Sequence, residues 1–429
     1  MSLTAAFNNA ASGLTVALRA AGVTSSNLAN ALSDGYARRD ISIETRRDGG
    51  AVVTGINRPV DQRILKQLRL SNATTSGLPT TVGQLTEIER LWGTSDDPAS
   101  LYALTTKLET SLQSLATHQG SATRLNAVHS SAQALADKIS GIARGLQETR
   151  QDADRQISSD VKSLNGHLAT IAKLNTAIVS SNGESTASMQ DQRQALIDKV
   201  SKLIPIRQIA RPHGSIALVT TKGQFLLDEL PYEISFSTGG LITADKSVEN
   251  GALDTPKING TTLNLPSGGR LAALLQMRDE TAPQNLQKLN SLADHLVEST
   301  YNPNAATQLF ASNSLDHPAA SLTVNQAQVE ATYVLGGLTA ETDHFFGRSG
   351  FAQHAFELST DLSQKILLNE GALAAAQATH ATLQESFGGS GVDTDTELQT
   401  LLRIEKTYAA NAKALQAISG MLDDLLSIG

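Results

Sequence analysis

The chain has 429 residues, enough for two or three domains, but only 4% are aromatic, so a core has to rest on Leu, Ile, Val and Ala. Its formal charge is −8 with no long block of one sign, and it has no cysteine. Disulfides, thiolate metal sites and cysteine nucleophiles are thereby excluded, and electrostatics offers no ground for a nucleic-acid or membrane partner. No apolar run approaches the roughly 20 residues of a bilayer span, and the first residues lack the pattern of a cleaved secretory signal, so any export is expected to leave the N-terminus intact.

Leu3, Phe7, Ala10, Leu14, Ala17, Ala21, Thr24 and Leu28 recur in steps of four and three, which predicts a helix over 1–32. Its small side chains let a second helix approach closely. The stretch Ser33-Asp34-Gly35-Tyr36 stops it, because Gly35 can take a left-handed cap conformation without a Cβ clash. Further on, Leu101, Leu104, Leu108, Leu112 and Leu115 form a second stripe, with Asp96-Asp97-Pro98 as the expected helix start. Leu125 to Leu146 and Val161 to Ile178 continue the pattern as a helical shaft, punctuated by Ser181-Asn182-Gly183. Helix is also expected over 191–203.

Between about 205 and 265 the period changes to two. Ile216, Leu218 and Thr220 alternate before a turn at Lys222-Gly223; Tyr232, Ile234 and Phe236 alternate before Thr238-Gly239-Gly240; Asn259-Gly260 marks another turn. These are hairpins of a small β module. Helices are expected again over 269–300 and 350–386, separated by a loop-rich stretch at 300–349 that contains Asn302-Pro303-Asn304 and Gly336-Gly337.

After the break Gly388-Gly389-Ser390-Gly391, Thr394 and Glu397 have the spacing of a capping box for a last helix over 394–427. Leu401, Ile404, Tyr408, Asn411, Leu415, Ile418, Leu422 and Leu425 make its seam. Asn411 either fixes helix register from a core position or lies at the edge of a wide seam. Both chain ends thus carry a helix with one apolar face, and such helices gain little stability alone. They are expected to order on association.

Chemistry-bearing motifs are missing. The sequence contains no HExxH, GxSxG, GxxxxGK[ST] or GxGxxG, its nine histidines lack metal-ligand spacing, and Trp92 reads as a core anchor. Asp96-Asp97 reads as a cap; Asp423-Asp424 opposes a helix dipole at small cost. No catalytic residue, cofactor or metal is expected.

Asn27-Leu28-Ala29-Asn30 followed by Ser33-Asp34-Gly35-Tyr36-Ala37-Arg38 resembles the N-terminal signature of the flagellar rod, hook and hook-associated proteins, with Ser33 where Thr is usual. Tyr408-Ala409-Ala410-Asn411-Ala412-Lys413 and Met421-Leu422-Asp423-Asp424-Leu425-Leu426 are similar to the closing helix of that family. Asp191-Gln192-Arg193-Gln194-Ala195-Leu196-Ile197, Ser390-Gly391-Val392-Asp393 and Gly268-Gly269-Arg270-Leu271 through Met277-Arg278-Asp279 resemble the members that join hook to filament, for which this sequence is short.

The resemblance implies a mainly α protein with a projecting small β module and its N- and C-terminal helices paired as a coiled coil. Segments 1–40 and 390–429 would make the two halves of an inner layer, 41–204 and 269–389 the shaft, and 205–268 the outer module. It implies an extracellular structural protein of the flagellum that polymerises through its terminal helices. Leu3, Phe7, Leu14, Leu28, Asn30, Gly35, Tyr36 and the C-terminal seam would be the assembly interface. The implied partners are hook protein, a second junction protein, further copies of itself, and a cytoplasmic export chaperone on the last helix. A hook or rod subunit is the alternative, then a secreted helical adhesin or enzyme, which would need a pocket with convergent polar groups.

Overall fold

A computed structural model describes residues 3–33, 36–47, 49–94, 96–117, 121–181, 186–299, 301–302, 307–325, 351–388 and 392–428. The expectations at Asp34-Gly35, Asn182-Gly183, Pro303-Asn304, Gly336-Gly337 and Gly389-Ser390-Gly391 lie outside these residues, as does the side chain of Leu425. The helices are α1 (Leu3–Ala29), α2 (Gln62–Trp92), α3 (Leu101–Thr117), α4 (Ala122–Ser180), α5 (Thr186–Leu203), α6 (Arg270–Gln276), α7 (Ala282–Ser299), α8 (Phe351–Gly388) and α9 (Thr394–Ile428). The fold is mainly α with small sheets.

The chain divides into two compact units, one of residues 1–73, 164–233 and 376–429, the other of 74–163 and 234–375. In the first, α1 packs along α9. A hairpin of β1 (Asp40–Thr45) and β2 (Ala51–Asn57) packs on α1. These residues, placed by sequence at the head of a helical shaft, instead form paired strands. Gly49 and Gly50 turn the hairpin with φ of 90° and 86°, and a Cβ on Gly49 would lie 2.6 Å from Asn9 Oδ1, so the turn is built for close approach to α1.

In the same unit, Leu164, Leu168, Ile171 and Ile178 on one face of α4 are buried, as are Ile197 and Val200 of α5 and Leu65 of α2. An antiparallel sheet, β3 (Ile206–Ala210), β4 (Ile216–Thr220) and β5 (Phe225–Leu227), belongs to this unit; its central strand β4 is buried along its whole length. Asn175 interrupts the apolar stripe of α4, and its Nδ2 donates to the Ile216 carbonyl at 2.8 Å, so the buried amide is satisfied by the strand.

In the second unit, Ile88 and Trp92 of α2, Leu101, Leu108 and Leu115 of α3, and Leu135, Ile139, Ile142 and Leu146 of α4 form the core. Helix α3 begins later than the sequence suggests: Ser100, not the Asp96-Asp97 pair, caps it, its Oγ accepting the Ala103 N–H at 3.1 Å. Asp97 instead accepts the Ala99 N–H in the preceding turn.

A second three-stranded sheet, β6 (Ile234–Ser235), β7 (Lys257–Ile258) and β8 (Thr261–Thr262), turns at Asn259-Gly260 with φ of 49° and 77°. The β-rich stretch of the sequence is therefore two small sheets, one in each unit. Short two-stranded ladders complete the second unit: β9 (Tyr301–Asn302) with β10 (Thr307–Gln308), and β11 (Phe310–Ser312) with β12 (Leu322–Val324).

Between α6 and α7 a π-helical turn, Met277–Thr281, carries Arg278. Arg278 and Asp154 are both 0% exposed and pair at 2.6 Å, while Asp279 binds the same guanidinium at 2.7 Å. Burial works against the Arg278 charge, but Asp279 and Asp154 override it and hold its pKa above the ordinary arginine value. The second Asp154 oxygen accepts the Gly239 N–H at 2.9 Å, and Arg278 donates to the Asp254 carbonyl at 2.8 Å, so the pair ties the β6–β8 segment to α4.

Candidate functional site

The residues that resemble a family signature converge at the end of α1. Asn27 is buried there, and its carboxamide is used on both sides. Nδ2 donates to the Arg39 carbonyl at 2.9 Å, and Oδ1 accepts the Arg39 N–H at 3.0 Å. Asn27 thus imitates the edge of a β-strand and pins the extended segment 36–39 back against its own helix. An aspartate of the same shape could not donate, so the geometry selects the amide. The Tyr36 hydroxyl donates to the same Oδ1 at 2.9 Å.

Asn27 Nδ2 also reaches Glu397 Oε2 at 3.2 Å, and Arg38 Nε donates to Glu397 Oε1 at 2.7 Å. Glu397 is 1% exposed. Burial opposes the Arg38 charge, yet its hydrogen bond to Glu397 and the charges of Asp40 and Glu397 keep its pKa raised. The capping box expected at Thr394 and Glu397 is not formed. Asp393 is the cap, its Oδ1 accepting the Asp395 N–H at 3.0 Å and the Thr396 N–H at 3.3 Å, which frees Glu397 to face inward.

A third element joins through Asp191 of α5, which receives Arg39 and Arg58 at 2.6 Å each. The Arg39 guanidinium lies 4.8 Å over the Tyr36 ring. This clasp therefore ties the end of α1, the segment after it, the start of α9 and the start of α5 into one hydrogen-bonded group.

Along the helix pair, Leu401, Ile404, Asn411, Leu415, Ile418 and Leu422 are half-buried, as are Leu3, Leu14 and Leu28 on α1; Phe7 and Tyr408 are exposed. A Cβ at Gly13 would lie 2.7 Å from Asn411 Nδ2, so Asn411 seats on the bare backbone of α1 and fits that one register. Of the two readings of Asn411, the geometry agrees with a register contact. Asn30 caps its own helix end, its Nδ2 donating to the Ser26 carbonyl at 2.8 Å.

Asn27, Arg38, Arg39, Arg58, Asp191, Glu397 and Gly13 were not among the expected site residues. One signal was present: Glu397 precedes Leu401 by four, so it extends the seam by one core position. The terminal pair leaves apolar side chains outside the seam, with Leu18 at 60% and Leu402 at 58% exposure beside Leu398 and Met421. Among the described residues no group of three His, Asp or Glu side chains is placed to hold a metal ion, and no helix is long and apolar enough to cross a membrane.

Several known proteins are similar to this chain. Flagellar hook-associated protein 1 of Salmonella typhimurium is 25% identical over 307 residues, covering 67% of this chain and 54% of its own length. The proteins of that name from Escherichia coli and Bacillus subtilis are also 25% identical, over 313 and 284 residues. The chain spans about half the length of these relatives. A solved structure, the flagellar hook junction protein FlgK from Burkholderia pseudomallei, is 22% identical with a TM-score of 0.49, covering 58% of this chain and 47% of that one. Residues 383–428 match the flagellar basal body rod FlgEFG protein C-terminal family. Residues 85–308, more than half of the chain, match the flagellar hook-associated protein FlgK helical domain, and the chain belongs to that family.

Proposed function

We propose that the chain is a structural subunit of the bacterial flagellum that joins hook to filament through its paired terminal helices, outside the cell and without catalysis. The observation that carries this reading is the helix pair itself: clasped into one register, with apolar side chains such as Leu18 and Leu402 still in solvent. Each apolar side chain buried against a neighbouring subunit contributes roughly 1.5–3 kcal/mol. The relatives named flagellar hook-associated protein 1 support the placement beside the hook.

In this reading the segments 1–40 and 390–429 form the inner layer, 41–204, with its strand hairpin, and 269–389 the shaft, and 205–268, with its two small sheets, the outer module. The seam residues set the pair, and its outward apolar side chains meet the hook protein, a second junction protein and further copies of the chain. A cytoplasmic chaperone shields α9 before export without signal cleavage.

The test is complementation of a strain lacking the gene with Leu402→Asp. Hooks are expected to remain while filaments are lost and flagellin escapes to the medium, with unchanged circular dichroism of the purified variant. Normal filaments would remove α9 from the assembly surface. The match of residues 383–428 to a rod-protein C-terminal family favours a second reading, a rod or hook subunit. That reading requires the purified chain to polymerise alone into long tubes, which electron microscopy would reveal.

A further inference from the structure

Next to the clasp, in the first unit, lies a pocket of about 500 Å³ whose lining includes Arg58, Arg193, Arg211, Gln190, Gln194 and Ser215, and no Asp or Glu. In a chain of charge −8 that is an unusual wall. Arg193 is the informative member. It is 7% exposed, and it donates from one terminal nitrogen to two neutral oxygens, Asn175 Oδ1 at 2.7 Å and the Gly214 carbonyl at 2.9 Å. Among the described residues no ion pair reaches it.

The surrounding charges do not balance either. Arg39 and Arg58 share Asp191, Arg69 pairs with Asp198 at 3.3 Å and Arg211 with Asp228 at 2.7 Å, so with Arg193 five arginines face three ion-paired carboxylates. Burial, then the charges of Arg58 and Arg69, lower the Arg193 pKa to about 10, which leaves it charged at neutral pH. A buried cation without a counter-ion costs stability, and an anion that enters the pocket recovers it. Guanidinium groups present paired N–H donors that match a planar carboxylate, and the Gln190 amide and the Ser215 hydroxyl line the pocket beside them.

We propose that this pocket binds a carboxylate, either a small free polycarboxylate or an Asp or Glu side chain of a second copy of the chain, with Arg193 at its base and Arg211 at its rim. The proposal is independent of the hook–filament reading.

Citrate is the probe. Isothermal titration calorimetry of the full chain with citrate, against sodium chloride of equal ionic strength, should show saturable one-site binding. Arg193→Gln and Arg211→Gln should each weaken it by about tenfold or more. Arg211 is part-exposed, so its variant tests the pocket even where Arg193→Gln does not fold, with circular dichroism as the check. No binding, or an affinity unchanged by Arg211→Gln, would overturn the proposal. Sedimentation velocity with and without citrate distinguishes the sources: loss of self-association assigns the site to a neighbouring copy, and unchanged self-association assigns it to a free anion.

Discussion

Arg278 and Glu397 are both buried ionic side chains held by partners far away in sequence, yet they sit in different surroundings. Arg278 lies in the second unit, fully buried with Asp154 and 5.5 Å over the Phe236 ring. Glu397 lies on a helix whose remaining described residues are half-buried or exposed. In the first case an apolar core already fixes the elements, and the ion pair selects how the β6–β8 segment docks. In the second, the clasp and one glycine–asparagine contact are the main local means of choosing a register. A weakly buried helix pair specified by polar contacts suits a surface that keeps apolar area for association.

The comparison can be broken first at Arg278. Arg278→Met leaves Asp154 charged, buried and short of its cation, and should cost about 3–5 kcal/mol, read as a lower midpoint in urea unfolding. A loss under 1 kcal/mol would mean that water reaches Asp154. Glu397→Ala should cost less, about 2 kcal/mol, and confine it to the clasp. Hydrogen exchange should then quicken along α1 and α9 while the core of α3 and α4 keeps its protection; equal loss in both regions would mean that the clasp and the core are one cooperative unit.

Smaller still is Gly13→Ala, which brings a methyl to 2.7 Å of Asn411 Nδ2 and should cost about 1–2 kcal/mol. The double change with Asn411→Ala should recover most of it, because the obstructing amide is gone. The smallest effect sharpens the comparison by pH. Hydrogen bonds from the Thr396 side chain and from the Thr396 and Asp395 amides hold the Asp393 pKa below the ordinary aspartate value. A carboxylate depressed in the folded state contributes stability that is complete above its unfolded pKa and lost as pH falls through its folded one. The first turn of α9 should therefore fray on acidification below the usual carboxylate range, while Asp393→Asn, which keeps a capping oxygen, should remove most of that pH dependence; NMR amide shifts at Asp395 and Thr396 would read both.

Much of the helical fold was legible. The stripes in α3, α4 and α9 repeat every three or four residues over many turns, and the structure places helices where those repeats run. The hairpin at 40–57 escaped although Asp48-Gly49-Gly50 sits between residues that alternate in character, a usable turn signal. Helix α2 falls within the expected shaft but no stripe marked it, for a better reason: Pro79, Gly77 and Gly83 weaken its local preference, and packing supplies what propensity does not. Gly77 is there for contact, since a Cβ would lie 3.0 Å from the Gly269 carbonyl oxygen.

Local spacing by itself determined which face of each terminal helix is apolar, where the hairpin turns at Lys222-Gly223 and Asn259-Gly260 fall, and that chemistry-bearing motifs are missing. These are properties of neighbours within one or two turns of chain, which periodicity records. Tertiary structure alone decided that Asn27 meets Glu397 across 370 positions, that Asp191 gathers Arg39 and Arg58, and that Asn411 seats on Gly13. A polar side chain carries no mark of its partner; it is paired by whichever donors and acceptors the folded chain brings within about 3 Å.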